Sequence, residues 1–206
     1  MKDYLLTFIN PAKSFEKLLE KENYIGQGFL YISFPVAGYT MMYIFLTIAN
    51  GAPSVFTPWL NIPKDEYYSI NRYLLAPSMI LCWLSATAVM QIISRMNGGD
   101  GSFERLLSVI ALSISIAMWG GLIHDLPMSA LSAYGIINAR EHEIAMNSPT
   151  VYRTLLRISY SIYLIAFLVL FPTAVKAVHR LSLLKSIFTG VLGFIVFQLI
   201  FFIFNR

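Results

Sequence analysis

The sequence predicts an all-α fold: a polytopic membrane helix bundle with five transmembrane helices, an N-terminal cytoplasmic amphipathic helix, and an N-in/C-out orientation. Three observations predict it. Only 13% of the 206 residues are charged and 57% are hydrophobic, with mean hydropathy +0.64, whereas a soluble domain carries roughly 25% charged residues. Five apolar runs each approach the roughly 20 residues that a helix needs to cross a bilayer. Between the second and third runs lies the polar turn Asn97-Gly98-Gly99-Asp100-Gly101-Ser102, flanked by Arg95 and Arg105. Such a basic-flanked turn belongs on the cytoplasmic side. Lipid therefore replaces water around most of the surface.

Residues 1–22 carry too many charges to cross and stand apart from one membrane domain over 23–206. Asn10 and Pro11 read as an N-cap and first helical position. Phe15, Leu18 and Leu19 then share one face, with Lys13, Glu16, Lys17, Glu20 and Lys21 on the other. This suits a short helix on the headgroups, its lysines drawn to anionic lipid, and suits an ordinary solvated helix equally well. From Asn23 to Pro63 there is no charged side chain. The first span is expected over about 29–49, with Pro35 and Gly38 as kink points. After it, Pro53, Pro58 and Pro63 break the helix, and Trp59, Tyr67 and Tyr68 fit the aromatic belt of the far interface.

The second span is expected over about 72–94 and the third over about 103–123, with Ser102 capping the third and Glu104 in its first turn. Ser78, Cys82 and Ala86 recur every four residues, as do Ser113, Ala117 and Gly121. Small residues let helices approach closely, so these stripes are expected to face each other. His124, Asp125 and Pro127 close the third span. The segment 127–139 is too short to cross and is expected on the outer surface or as a re-entrant piece. A polar loop over Arg140 to Glu143 ends at Pro149, and the last spans follow at about 154–175 and 186–204. This places Lys2, Lys13, Lys17, Lys21, Arg95, Arg105, Lys176, Arg180 and Lys185 inside. It places Lys64, Arg72, Arg140, Arg153, Arg157 and Arg206 outside, a bias that favours the orientation. No basic segment leads into an apolar stretch and a small-residue cleavage site, so no cleavable signal peptide is expected.

The chemistry is sparse. No ionisable residue lies deep in any run, which argues against a proton-driven transporter. The net charge of +4 is spread out, so nucleic acid is not an expected partner. The lone Cys82 excludes an intrachain disulfide. His124, Asp125, Glu141, His142 and Glu143 could offer nitrogen and oxygen ligands to a zinc-like ion. Their spacing lacks the built-in geometry of a His-Glu-x-x-His helix, so a helix end and a solvated loop are expected instead. His179 reads as a helix-terminal group facing headgroups. The glycine turn has no phosphate-loop pattern, and Asp100 would repel an anion. No serine sits in a G-x-S-x-G context. No catalytic residue, metal ligand or cofactor is assigned, and an enzyme is not expected.

Three motifs carry a family resemblance. They are Asn10-Pro11-Ala12-Lys13-Ser14-Phe15-Glu16-Lys17-Leu18, the turn Gly98-Gly99-Asp100-Gly101-Ser102-Phe103 with Leu106 and Leu107, and Lys176-Ala177-Val178-His179-Arg180-Leu181-Ser182 at the exit of the fourth span. In their order around five spans they resemble the Yip family of Ypt-interacting membrane proteins, particularly its short prokaryotic members, over nearly the whole chain. The resemblance implies a multi-pass fold in a membrane, here the cell membrane, more than a biochemical role. Eukaryotic relatives associate with Rab-type GTPases and carry an Asp-Leu-Tyr-Gly-Pro-type element; this chain lacks it, so GTPase binding does not carry over. The first expectation is a non-enzymatic protein that organises or recruits partners, namely lipids, other membrane proteins or further copies of itself. Its contact residues would be Phe15, Leu18, Leu19, Gly98, Gly99, Asp100, Gly101, Ser102 and Phe103, with the basic connector Lys176 to Lys185. The alternatives are a transporter or channel lined by Ser85, Thr87, Gln91, Ser113 and Ser115, and a metalloprotein using His124, Asp125 and His142.

Overall fold

In hydrocarbon, a chain must satisfy each backbone N–H and C=O within its own segment, so every apolar run closes into a helix. The computed structural model describes residues 2–53 and 60–205. Its helices are α1 (Lys2–Ile9), α2 (Pro11–Leu19), α3 (Tyr24–Ile48), α4 (Tyr67–Met96), α5 (Phe103–Ala133), α6 (Ala139–Ala145), α7 (Val151–His179) and α8 (Leu183–Phe204). There is no strand among the described residues. Five of these helices, α3, α4, α5, α7 and α8, are long and apolar enough to cross a membrane. Pro58, Trp59 and Arg206, read above as breaker, belt residue and outer charge, lie outside the described residues.

The helices overrun the expected spans. The largest overrun is at α5, which continues to Ala133 through Pro127 instead of stopping near Ile123. A proline inside a packed membrane helix removes one N–H and frees the carbonyl four residues earlier, here that of Ile123, which a packed bundle tolerates. The Ser129 and Ser132 hydroxyls beyond it donate to Leu126 O and Met128 O at 2.8 and 2.9 Å. The segment 127–139 is therefore no separate surface or re-entrant piece. Its first half is the end of α5, and its second is a turn through Gly135 at φ 72°.

α5 is the axis of the bundle. Its most apolar stretch is 89% buried, against 28% to 44% for the other four spans. Its neighbours approach closely because small residues meet at the crossings: a Cβ on Gly28 of α3 would lie 3.2 Å from Ser108 Cα, and one on Gly120 would lie 2.6 Å from the Tyr163 nitrogen of α7. The two small-residue stripes do not face each other as expected. Ser78 of the α4 stripe accepts a hydrogen bond from Asn205 Nδ2, just past α8, at 3.0 Å. On the α5 stripe, Gly121 faces the Tyr39 hydroxyl of α3. The pattern announces close packing without naming the partner helix, and α4 packs most extensively on α8 while α5 packs on α3 and α7.

The N-terminal helices also join the bundle. Asn10 caps α2 by accepting from the Lys13 N–H at 3.1 Å. Phe15 and Leu18 are fully buried, with α2 packed on α7, α5 and α3. Protein covers them, where the sequence pointed to headgroups or water. α1 lies alongside the membrane-spanning part: the Tyr4 hydroxyl hydrogen-bonds Ser115 Oγ, and its ring packs edge-on against Tyr31 and Phe34 of α3. Ser115 stands twelve residues into α5, roughly 18 Å along its axis. That is more than half of a hydrocarbon layer about 30 Å thick.

Candidate functional site

At one end of the bundle two of the three resemblance motifs, the glycine turn and the exit of α7, pack on each other. α4 stops at Asn97, and Gly98, at φ 90°, makes the reversal that a residue with a Cβ would resist. The Gly99 N–H then donates to Ser94 O at 2.8 Å, and Gln91 Nε2 donates to Gly101 O at 3.0 Å. Ser102 caps α5 by accepting from the Arg105 N–H at 3.4 Å. The turn presses onto the end of α7. A Cβ at Gly99 would fall 2.8 Å from His179 Nδ1, and one at Gly101 would fall 2.5 Å from Val178 O. Lys185 Nζ, at the start of α8, donates to Asn97 O at 3.0 Å. So the glycines of one motif are the floor on which the Val178-His179 step of another rests.

Of the expected contact residues, Gly98 and Asp100 are exposed, and Leu19, Ser102 and Phe103 are half-buried. Gly99 and Gly101 are buried under the α7 end, while Phe15 and Leu18 are core. His179 is 2% exposed and packed in protein, where the sequence pointed to headgroups. What the face offers outward is charge: Arg95, Asp100, Glu104, Arg105, Lys176 and Arg180, with Met96 and Leu184 as apolar tips.

The opposite end holds a cavity of about 110 Å³ between α3, α4, α5, α6 and α7. Its wall includes Tyr39, Tyr43, Tyr67, Tyr68, His124, Asp125, Met128, His142, Glu143, Met146 and Tyr160. Tyr67 and Tyr68, expected in an exposed aromatic belt, are buried here with Tyr43 in an edge-on ring cluster. Composition cannot separate a belt tyrosine from a cavity tyrosine. Asn205 ties this end together: its Oδ1 accepts from Tyr43 and Asn71, and its Nδ2 donates to Ser78.

α6 roofs the cavity. Asn138 caps it by accepting from the Arg140 and Glu141 N–H groups. Arg140 fixes it outward, through Asp65 at 2.7 Å and Asn50 O at 3.1 Å. Inside, Tyr68 donates to Glu143 at 3.1 Å and Tyr160 to Asp125 at 3.2 Å, and His124 Nδ1 lies 2.8 Å from Asp125 Oδ1. The rings of His124 and His142 are near parallel with centroids 5.7 Å apart. Burial, reinforced by His124, holds the His142 imidazole below its usual pKa. The structure thus gathers His124, Asp125 and His142. Among the described residues, however, no three His, Cys, Asp or Glu side chains are placed to hold a metal ion. The sequence reading missed Met128, Met146 and Asn205; their spacing from His124 and His142 was the available signal for the first two.

The expected transport path does not assemble into a lining. Ser113 and Thr87 donate back to Val109 O and Trp83 O within their own helices, Ser115 is taken by Tyr4, and Gln91 serves the glycine turn.

A family model described as the Yip1 domain matches residues 5–205. No curated protein and no solved structure matches the chain.

Proposed function

The chain belongs to the Yip1 domain family, and from that premise we propose that it is a non-enzymatic protein of the cell membrane that recruits partners through the glycine-turn face. It is a multi-pass membrane protein with five apolar helices. One observation carries the proposal. Segments 97–105 and 176–185, far apart in the chain, are packed together at one end of the bundle, with glycine backbone pressed on the α7 end. A surface assembled from close backbone contacts is preorganised, so little ordering entropy is lost when a partner binds. Its exposed Arg95, Asp100, Arg105 and Arg180 supply the charge pattern that selects the partner and speeds encounter. The N-in orientation that the charge bias favours would put this face in the cytoplasm.

The test is proximity crosslinking in intact membranes with Asp100→Lys and Arg105→Glu, two exposed positions outside the packed floor. Loss of the crosslinked partners with the protein still folded supports recruitment by this face. An unchanged set of partners refutes it.

A further inference from the structure

Two histidine–methionine pairs stand in the same relation on two helices. His124 and Met128 are four residues apart on α5. His142 and Met146 are four apart on α6 and the helical residue that closes it. That spacing places each pair on one helix face, and all four side chains line the same cavity. The Nε2 atoms of both histidines are buried and make no hydrogen bond with any described residue. A buried polar atom without a partner is costly, and two in one cavity wall ask for a ligand.

The chemistry of the four side chains says which ligand fits. Neither Nε2 is taken by the other or by any described residue, and the two imidazoles stand side by side, stacked with centroids 5.7 Å apart. His124 is also held as metal-binding imidazoles are held. Its Nδ1 is engaged by Asp125 Oδ1 at 2.8 Å, which leaves the Nε2 lone pair facing away from the carboxylate. Tyr160 in turn fixes the other oxygen of Asp125.

From these donors lining one cavity we propose a binding site for copper(I), with His124 Nε2 and His142 Nε2 as its nitrogen ligands and the Met128 and Met146 thioethers completing the set. Zinc would need further nitrogen, carboxylate or thiolate ligands, and no such group of three forms among the described residues. Thioethers are soft donors that select copper(I). The wall is also rich in tyrosine, with α6 over one side.

The experiment titrates the purified full chain in detergent with copper(I), without oxygen, against a chromophoric competitor, and follows with X-ray absorption. The expected result is one equivalent bound, with both nitrogen and sulfur attached to the metal. His142→Ala and Met146→Leu, both at partly exposed positions, should weaken binding at least tenfold while helix content stays unchanged. Asp125→Asn should weaken it 10- to 100-fold. Three results would overturn the site: no stoichiometric copper(I), retention equal to the parent protein in the His142→Ala, Met146→Leu double variant, or zinc held as tightly as copper(I).

Discussion

The two ends of this bundle solve the same problem in opposite ways. Each must stop long apolar helices and satisfy the polar chain between them. The glycine-turn end does so by contact: backbone meets backbone, and a Cβ at Gly101 would fall 2.5 Å from a carbonyl oxygen. The cavity end does so by side chains: Asn205, Tyr43, Asn71 and Ser78 share hydrogen bonds around an open space lined by His124 and His142. Where backbone fills the space, the structure tolerates no added atom. Where side chains fill it, a gap remains that can hold a ligand.

The sharpest way to break that comparison is to add one methyl group to the turn. At Gly101 the obstacle is the Val178 carbonyl, which cannot swing aside, so Gly101→Ala should cost about 3 kcal/mol in unfolding from detergent micelles. Gly98→Ala meets nothing within 4 Å and suffers only its φ of 90°, a penalty of about 1–2 kcal/mol. If both cost the same, close contact is not what builds this end. At the cavity end the corresponding blow is Asn205→Leu. It leaves Ser78 and Tyr43 without their buried partner and should cost about 2 kcal/mol. Arg140→Ala should matter less, below about 1 kcal/mol, because its pair with Asp65 is exposed on both sides.

The same contrast explains what was legible in the sequence. Five crossings were legible because apolar length is a property of each run by itself, and the caps at Asn10 and Ser102 were legible because a cap is local. The glycine turn and the α7 exit could be listed but not joined. Gly99 contacts His179 across eighty residues of chain, and no periodicity encodes that. The centrality of α5 was hidden for a related reason: its Ser113, Ala117 and Gly121 read as an interface, with nothing to show that helices surround it on nearly every side. α1 was masked by Lys2 and Asp3, whose charges outweighed the apolar Leu5, Leu6, Phe8 and Ile9. The cavity is hidden in the sequence because Pro127 reads as a stop, which puts Met128 in a different element from His124.

The smallest expected effect is one of pH, and at the cavity end it falls on His142. In the folded chain, burial first and the neighbouring His124 second hold His142 below its ordinary value of 6.5, with Glu143 and Asp125 pulling the other way. The unfolded chain therefore takes up a proton at higher pH than the folded one. Stability from this group is fully present above about pH 6.5 and falls as the pH drops below it. The loss levels off once the folded imidazole is protonated too. Because His142 is only half-buried, the slope should be shallow. His142→Gln, which keeps a polar side chain at the position and cannot titrate, should remove this group's share of the slope. A slope unchanged in His142→Gln would move the proton uptake to other groups and detach it from the cavity. One that becomes shallower would tie part of the proton uptake to the roof helix, through a ring that lines the cavity.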